Sequence, residues 1–164
     1  MKQSVKLKVF WNYFAVMFTL LLFGVFVLLS VVKGTSGEYV DLGLPSGTLW
    51  KNVNEDNFCT YDEAVKQYGN MLPTKEQFEE LKEKCYWSRT DNGYKVKGPN
   101  GNSIVLPAAG FRNGNVYSRG DSGRYWASTP NGPEDAWGLC FKWVGVDMLS
   151  RNRCYGLSVR LVQD

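Results

Sequence analysis

The chain is 164 residues long, 44% hydrophobic and 15% aromatic, a composition that supports one packed domain and excludes a disordered chain. It holds 19 Lys and Arg against 16 Asp and Glu and has no histidine, which removes the usual general base, the usual zinc ligand and any Ser–His or Cys–His pair. Lys2, Lys6, Lys8 and Lys33 precede residue 38 with no acid among them, so the rest of the chain is nearly neutral and lacks the footprint of a nucleic-acid binder.

The first element is the uncharged apolar run from Phe10 to Val32. It is long enough to cross a bilayer as a helix. It exceeds the roughly 7–15 residues of a cleavable signal core, so residues 1–37 are predicted to be an uncleaved signal anchor. The lysines before the run outnumber Lys33 after it, which orients the N-terminus to the cytoplasm. Residues 38–164 are then an extracytoplasmic domain, in the periplasm or at the cell surface, and secreted if the segment is cleaved.

The domain opens with "YVDLGL", an alternating strand pattern, then Pro45-Ser46-Gly47 as a turn and "TLW" as a second strand. Thr60 to Glu63 reads as a capping box opening a helix with Ala64, Val65 and Tyr68 on one face, ended by Gly69-Asn70. Thr74 to Gln77 is a second box, and its helix puts Phe78, Leu81 and Cys85 on one stripe. Glu79, Glu80 and Glu83 form its solvated face. From Tyr86 onward the pattern changes to hairpins, with turns at Asn92-Gly93, Asn100-Gly101 and Asn113-Gly114. "SRGDSG" and "TPNGPED" are loops around the strand "RYWAS", and "AWGLCFKW", "VDM" and "GLSVRLV" close the chain as strands. Trp50, Trp87, Trp126 and Trp137 are read as core. Two early helices and a late twisted antiparallel sheet predict an α+β domain.

Cys59, Cys85, Cys140 and Cys154 permit three pairings. Cys59 and Cys85 are the expected disulfide, each bordering a helix. Asn54, Glu55 and Asp56, and Asn131, Glu134 and Asp135, offer oxygens, but without the spacing of a dedicated calcium loop, so turn chemistry is the expected explanation. No metal or cofactor is predicted.

The stretch from Gly138 to Tyr155 carries the functional signal. A strand sends successive side chains to opposite faces, which turns Leu139, Phe141, Val146 and Met148 inward and Gly138, Cys140, Lys142 and Asp147 outward. The outward set has no common chemistry, as expected where no packing constrains it. Trp143, Arg151 and Tyr155 are residue types that dominate binding energy in exposed patches. The competing interpretation is a plain solvated face, against which exposed Trp, Leu and Cys in one patch speak.

"EYVDLGLPSGTLW", "LPTKEQFEEL", "GYKVKGPNGNSIVLPAAGFRNG", "YWASTPN" and "GLSVRLV" resemble, in order and spacing, the bacterial major paralogous domain family. The resemblance covers nearly all of residues 38–164 and implies a C-type-lectin-like fold of the formylglycine-generating-enzyme type. That fold has two helices, a small twisted antiparallel sheet, and paired N- and C-terminal strands. The formylglycine-generating relatives use a close cysteine pair, which Cys140 and Cys154 do not copy, so the chain is expected not to be an enzyme; a degenerate oxidase of that type is a remote alternative. The C-terminal cassette resembles the variable proteins of diversity-generating retroelements, in which errors at adenines rewrite Asn codons. Gly138, Cys140, Asp147, Leu149, Ser150, Arg151, Cys154 and Tyr155 are reachable from an Asn codon in that way; Lys142 and Trp143 are not.

The expected function is thus a membrane-anchored, extracytoplasmic ligand-binding module of receptor or adhesin type. Its binding face is built from Gly138, Cys140, Lys142, Trp143, Asp147, Leu149, Ser150, Arg151, Cys154 and Tyr155, with Arg124 nearby, and its partner is a protein or glycan. The alternative is a structural component of a cell-surface assembly.

Overall fold

The computed structural model describes residues 38–142 and 144–164; the expected membrane segment over residues 10–32, and Trp143, lie outside the described residues. Among the described residues no helix is long and apolar enough to cross a membrane. Gly37–Asp164 is one compact unit.

Strands β1 (Tyr39–Asp41) and β2 (Leu49–Lys51) come first, followed by helix α1 (Tyr61–Tyr68), a short 3₁₀ turn and helix α2 (Lys75–Lys84). Both helices start where the sequence predicts. The Thr60 hydroxyl accepts from the Glu63 N–H while Glu63 reaches back to the Thr60 N–H, and Thr74 and Gln77 repeat the exchange. Each box satisfies backbone donors that a helix start leaves orphaned.

The rest of the chain is strand. β3 (Tyr86–Thr90), β4 (Gly93–Lys97) and β5 (Ser103–Pro107) form one antiparallel sheet. β6 (Phe111–Asn113) and β7 (Asn115–Tyr117) form a hairpin. β8 (Gly123–Asn131), β9 (Asp135–Lys142) and β10 (Gly145–Asn152) form a third sheet with β9 in the middle. The three Asn-Gly sites fall at hairpin turns, as expected.

The expected C-type-lectin-like α+β fold is overturned. Among the described residues the structure is mostly β, with four small antiparallel sheets, 45% strand and 17% helix; the two helices are present but short, and four sheets stand where one was expected. The physical reason lies in the turns: closely spaced Gly-containing turns cut the later chain into short hairpins that each pair locally. The closing strand also departs from expectation. β11 (Val162–Gln163) is only the tail of the predicted "GLSVRLV" strand, and it pairs with β2 rather than with the N-terminal β1.

Two hydrophobic clusters hold these sheets. The first joins Leu42, Trp50, Phe78, Leu81, Ile104 and Leu106 to Tyr125, Leu139 and Phe141. The second lies against the opposite face of β8 and β9 and joins Trp126 and Ala136 to Tyr61, Ala64, Leu157 and Val159. Trp126 donates its indole N–H to the Cys59 carbonyl at 2.8 Å, and the Tyr61 hydroxyl donates to the Ser128 carbonyl at 2.6 Å. β8 and β9 are therefore sandwiched along part of their length. All four cysteines are free thiols, so the expected Cys59–Cys85 bridge is not formed: Cys59 belongs to the second cluster, and Cys85 packs against the first.

Arg160, in the closing segment, is fully buried. Its guanidinium donates to the Asn54 side chain at 2.9 Å, the Lys51 carbonyl at 2.7 Å and the Val105 carbonyl at 2.6 Å. Burial pushes its pKa down to about 10, and the Tyr125 phenol beside it is pushed up to about 12, again chiefly by burial. One side chain thus ties the end of the chain to β2 and β5.

Candidate functional site

The pairing of β8, β9 and β10 sets which predicted residues meet. Arg124 on β8, Cys140 on β9 and Asp147 on β10 stand in one row across the sheet. Trp126, Gly138 and Leu149 form the next row on the same face. The Trp126 end of this face is covered by the second hydrophobic cluster. The Arg124 end is open and forms a shallow cavity of about 170 Å³. Cys140, Lys142, Asp147, Leu149 and Arg151 line it, together with Arg124, so these predicted residues are brought to one place. Phe141, Val144, Gly145 and Ser122 complete the lining.

Cys140 is nearly closed off by its neighbours, and its thiol sulfur accepts from Arg151 Nε at 3.4 Å. Arg124 stacks its guanidinium 3.6 Å over the Phe111 ring. Burial holds Arg124 below the ordinary arginine pKa, and the neighbouring Arg151 guanidinium adds to that effect. The Phe111 ring continues to Tyr117 at 5.5 Å and to Tyr155 at 5.8 Å, so an aromatic shelf borders the cavity. Asp147 extends toward α2, where Lys82 pairs with it at 3.0 Å. The described surface offers a recess rimmed by two arginines and a lysine beside an aromatic ledge, a geometry suited to recognition by contact.

Several predicted positions lie elsewhere. Gly138 is buried, and a Cβ there would stand 2.8 Å from the Tyr125 carbonyl oxygen, so β9 needs glycine at this crossing and the position displays nothing. Ser150 follows Leu149 directly and faces the other way. Its hydroxyl donates to Asp135 at 2.8 Å and accepts from Asn131 at 2.9 Å, which holds the β8–β9 turn. Cys154 is exposed in the turn after β10, with its N–H donating to the Asn152 side chain at 3.1 Å. Tyr155 borders the site through its contact with the Phe111 ring.

Four members of the oxygen clusters are committed to structure. Asn54 serves Arg160 and Tyr125, Glu55 pairs with Lys51, and Asn131 and Asp135 share Ser150. Among the described residues no group of three or more His, Cys, Asp or Glu is placed to hold a metal ion.

Ser122 falls in the "SRGDSG" stretch, whose sequence predicts a loop, and nothing in the sequence marks Phe111 as part of a site. Ser122 is 1% exposed and forms part of the cavity wall. The signal for it was Gly123, whose missing side chain admits the Phe141 ring: a Cβ there would lie 2.0 Å from that ring.

A family model described as "Domain of unknown function (DUF8237)" matches residues 51–162. No curated protein and no solved structure matches the chain.

Proposed function

The chain belongs to this family, Domain of unknown function (DUF8237), and we propose that it is a ligand-binding module displayed outside the cytoplasmic membrane and anchored through residues 10–32. The observation that carries the reading is the convergence of Cys140, Lys142, Asp147, Leu149 and Arg151 on one open cavity, with Arg124 opposite. Leu149 is 40% exposed and Val144 is 97% exposed beside it, so apolar surface is offered to a partner next to cationic groups. The sheet beneath is packed from the other side, so side chains on the open face change with little effect on the scaffold.

A surface of that kind suits diversification, and the resemblance of the cassette to retroelement variable proteins is read in the same way. On this reading the positions free to vary are those that face or border the recess, Cys140, Lys142, Asp147, Leu149, Arg151 and Tyr155, while Gly138 and Ser150 serve the fold. The test is genomic and biochemical. A neighbouring reverse-transcriptase gene with a near-copy of the cassette, carrying adenines at the facing positions and matched bases at the codons for Gly138 and Ser150, is expected. Absence of any template sinks diversification and leaves a fixed binder. Capture of a protein or glycan ligand that is lost on Leu149→Arg while the melting temperature holds supports the binder. Capture by no ligand sensitive to that change favours a structural component of a surface assembly.

A further inference from the structure

We propose that the recess between Arg124 and Arg151 is a site for one oxyanion, a carboxylate, sulfate or phosphate group borne by the ligand; this rests on reading the face as a binding surface. The ion pairs among the described residues join Lys51 to Glu55, Lys75 to Glu79, Lys82 to Asp147 and Arg153 to Asp62, and none of them uses Arg124 or Arg151. Asp147 is the acid of the described lining, and it is already engaged by Lys82. Arg124 and Arg151 therefore face each other with no carboxylate between them.

Their donors are also free in the right places. Among the described residues Arg151 uses only Nε, toward the Cys140 sulfur, which leaves both terminal nitrogens for a ligand. Arg124 stands over Phe111 at 3.6 Å, and among the described residues no side-chain hydrogen bond or ion pair occupies its N–H groups. A guanidinium edge matches the spacing of two oxygens of a carboxylate or phosphate. The third observation is independent of the arginines. The Ser122 hydroxyl is buried in the same wall and has no hydrogen-bond partner among the described residues. Buried hydroxyls are ordinarily paired, and an oxyanion in the recess would accept from this one. Bringing two like charges together against a low-polarity wall is unfavourable until an anion lies between them. Burial and Arg151 both press on Arg124 in that sense.

The test uses the full chain in a neutral detergent. The Arg Nε–Hε signals are followed by NMR while sodium acetate, sulfate or phosphate is added, with chloride at matched ionic strength as the control. Saturable shifts confined to Arg124 and Arg151 are expected with at least one oxyanion and not with chloride. The order of affinities tells a carboxylate source from a sulfate or phosphate source. The double variant Arg124→Gln, Arg151→Gln is expected to abolish saturation, whereas Lys142→Gln at the rim weakens binding by less than about fivefold, as for an exposed charge. Equal unsaturable shifts with chloride, or a saturable response that survives the double variant, would overturn the site. A parallel array of peptides and glycans separates the two ideas. Capture lost on Leu149→Arg but unchanged in the double variant keeps the binding face and removes the oxyanion site. Saturable oxyanion binding with no array ligand sensitive to Leu149→Arg keeps the oxyanion site and removes the face as a recognition surface.

Discussion

Gly138 shows why a residue that looks interchangeable is not. Its α-carbon sits where the second cluster presses on β9, and a methyl group would meet backbone at Tyr125 rather than a side chain that can turn away. Gly138→Ala is expected to destabilise the domain by about 1–3 kcal/mol, read as a lower urea midpoint with an unchanged slope. Leu149→Ala, one strand over on the same face, is expected to shift stability by about 1 kcal/mol or less because that residue is 40% exposed. Arg160 has the opposite character: it looks polar in sequence and is core in the fold. Arg160→Leu leaves acceptors at Asn54, Lys51 and Val105 unserved, and a loss above about 3 kcal/mol is expected at the ~1–3 kcal/mol that each abandoned buried partner costs. The alternation of Leu139 and Phe141 was legible from period two alone. The burial of Cys140 and Gly138 was not, because period two does not say that a strand is covered on both sides.

The helices were the most legible elements, since a capping box is a local device whose members lie within four residues of one another. Thr74→Ala is expected to cost about 1 kcal/mol by removing the α2 cap, and circular dichroism with thermal melting measures it. The sheets were legible as hairpins but not in register. β8 pairs with β9 through a shift between Trp126 and Pro130, so counting back from the turn at residues 132–134 does not bring Arg124 opposite Cys140. That bulge hid which residue stands opposite Arg124, although the sequence already put Arg124 near the site. The element that ends α2 carries a pH effect. Cys85 is pushed up from 9.0 to about 11, first by burial and then by Glu80, and Cys59 is raised too, first by burial and then by Glu63. A thiol with a raised folded pKa gives stability that is whole below the unfolded value, and that stability is lost as pH climbs through the folded value. The melting temperature is therefore expected to fall from about pH 9 upward. Cys85→Ala is expected to flatten that slope between pH 9 and 10, before Arg160 and Tyr125 begin to titrate in opposite senses.

At the scale of the molecule, composition announced a packed domain and the cassette announced an uneven surface. Three of the four sheets pair strands that are neighbours in sequence, and only the β2–β11 strand pairing joins segments that no local pattern connects. The site depends on the division into sheets: the β6–β7 hairpin is joined to the closing segment through Arg112 and Gly156, and this places Phe111 under Arg124. Variants across the recess are thus expected to alter ligand capture while global unfolding stays nearly fixed, and variants at the Arg112–Gly156 junction to alter both. The position of β9 has a consequence in time. It is hydrogen-bonded on both sides and carries a cluster against each face, whereas β10 has one sheet neighbour and an open edge. In deuterated solvent the β9 amides should be the last to exchange, through global opening alone, while alternate amides of β10 exchange within the native state. The contact residues of the recess then ride on a slow strand and a fast one, so a ligand that closes over both should slow the β10 amides and leave the β9 rates unchanged.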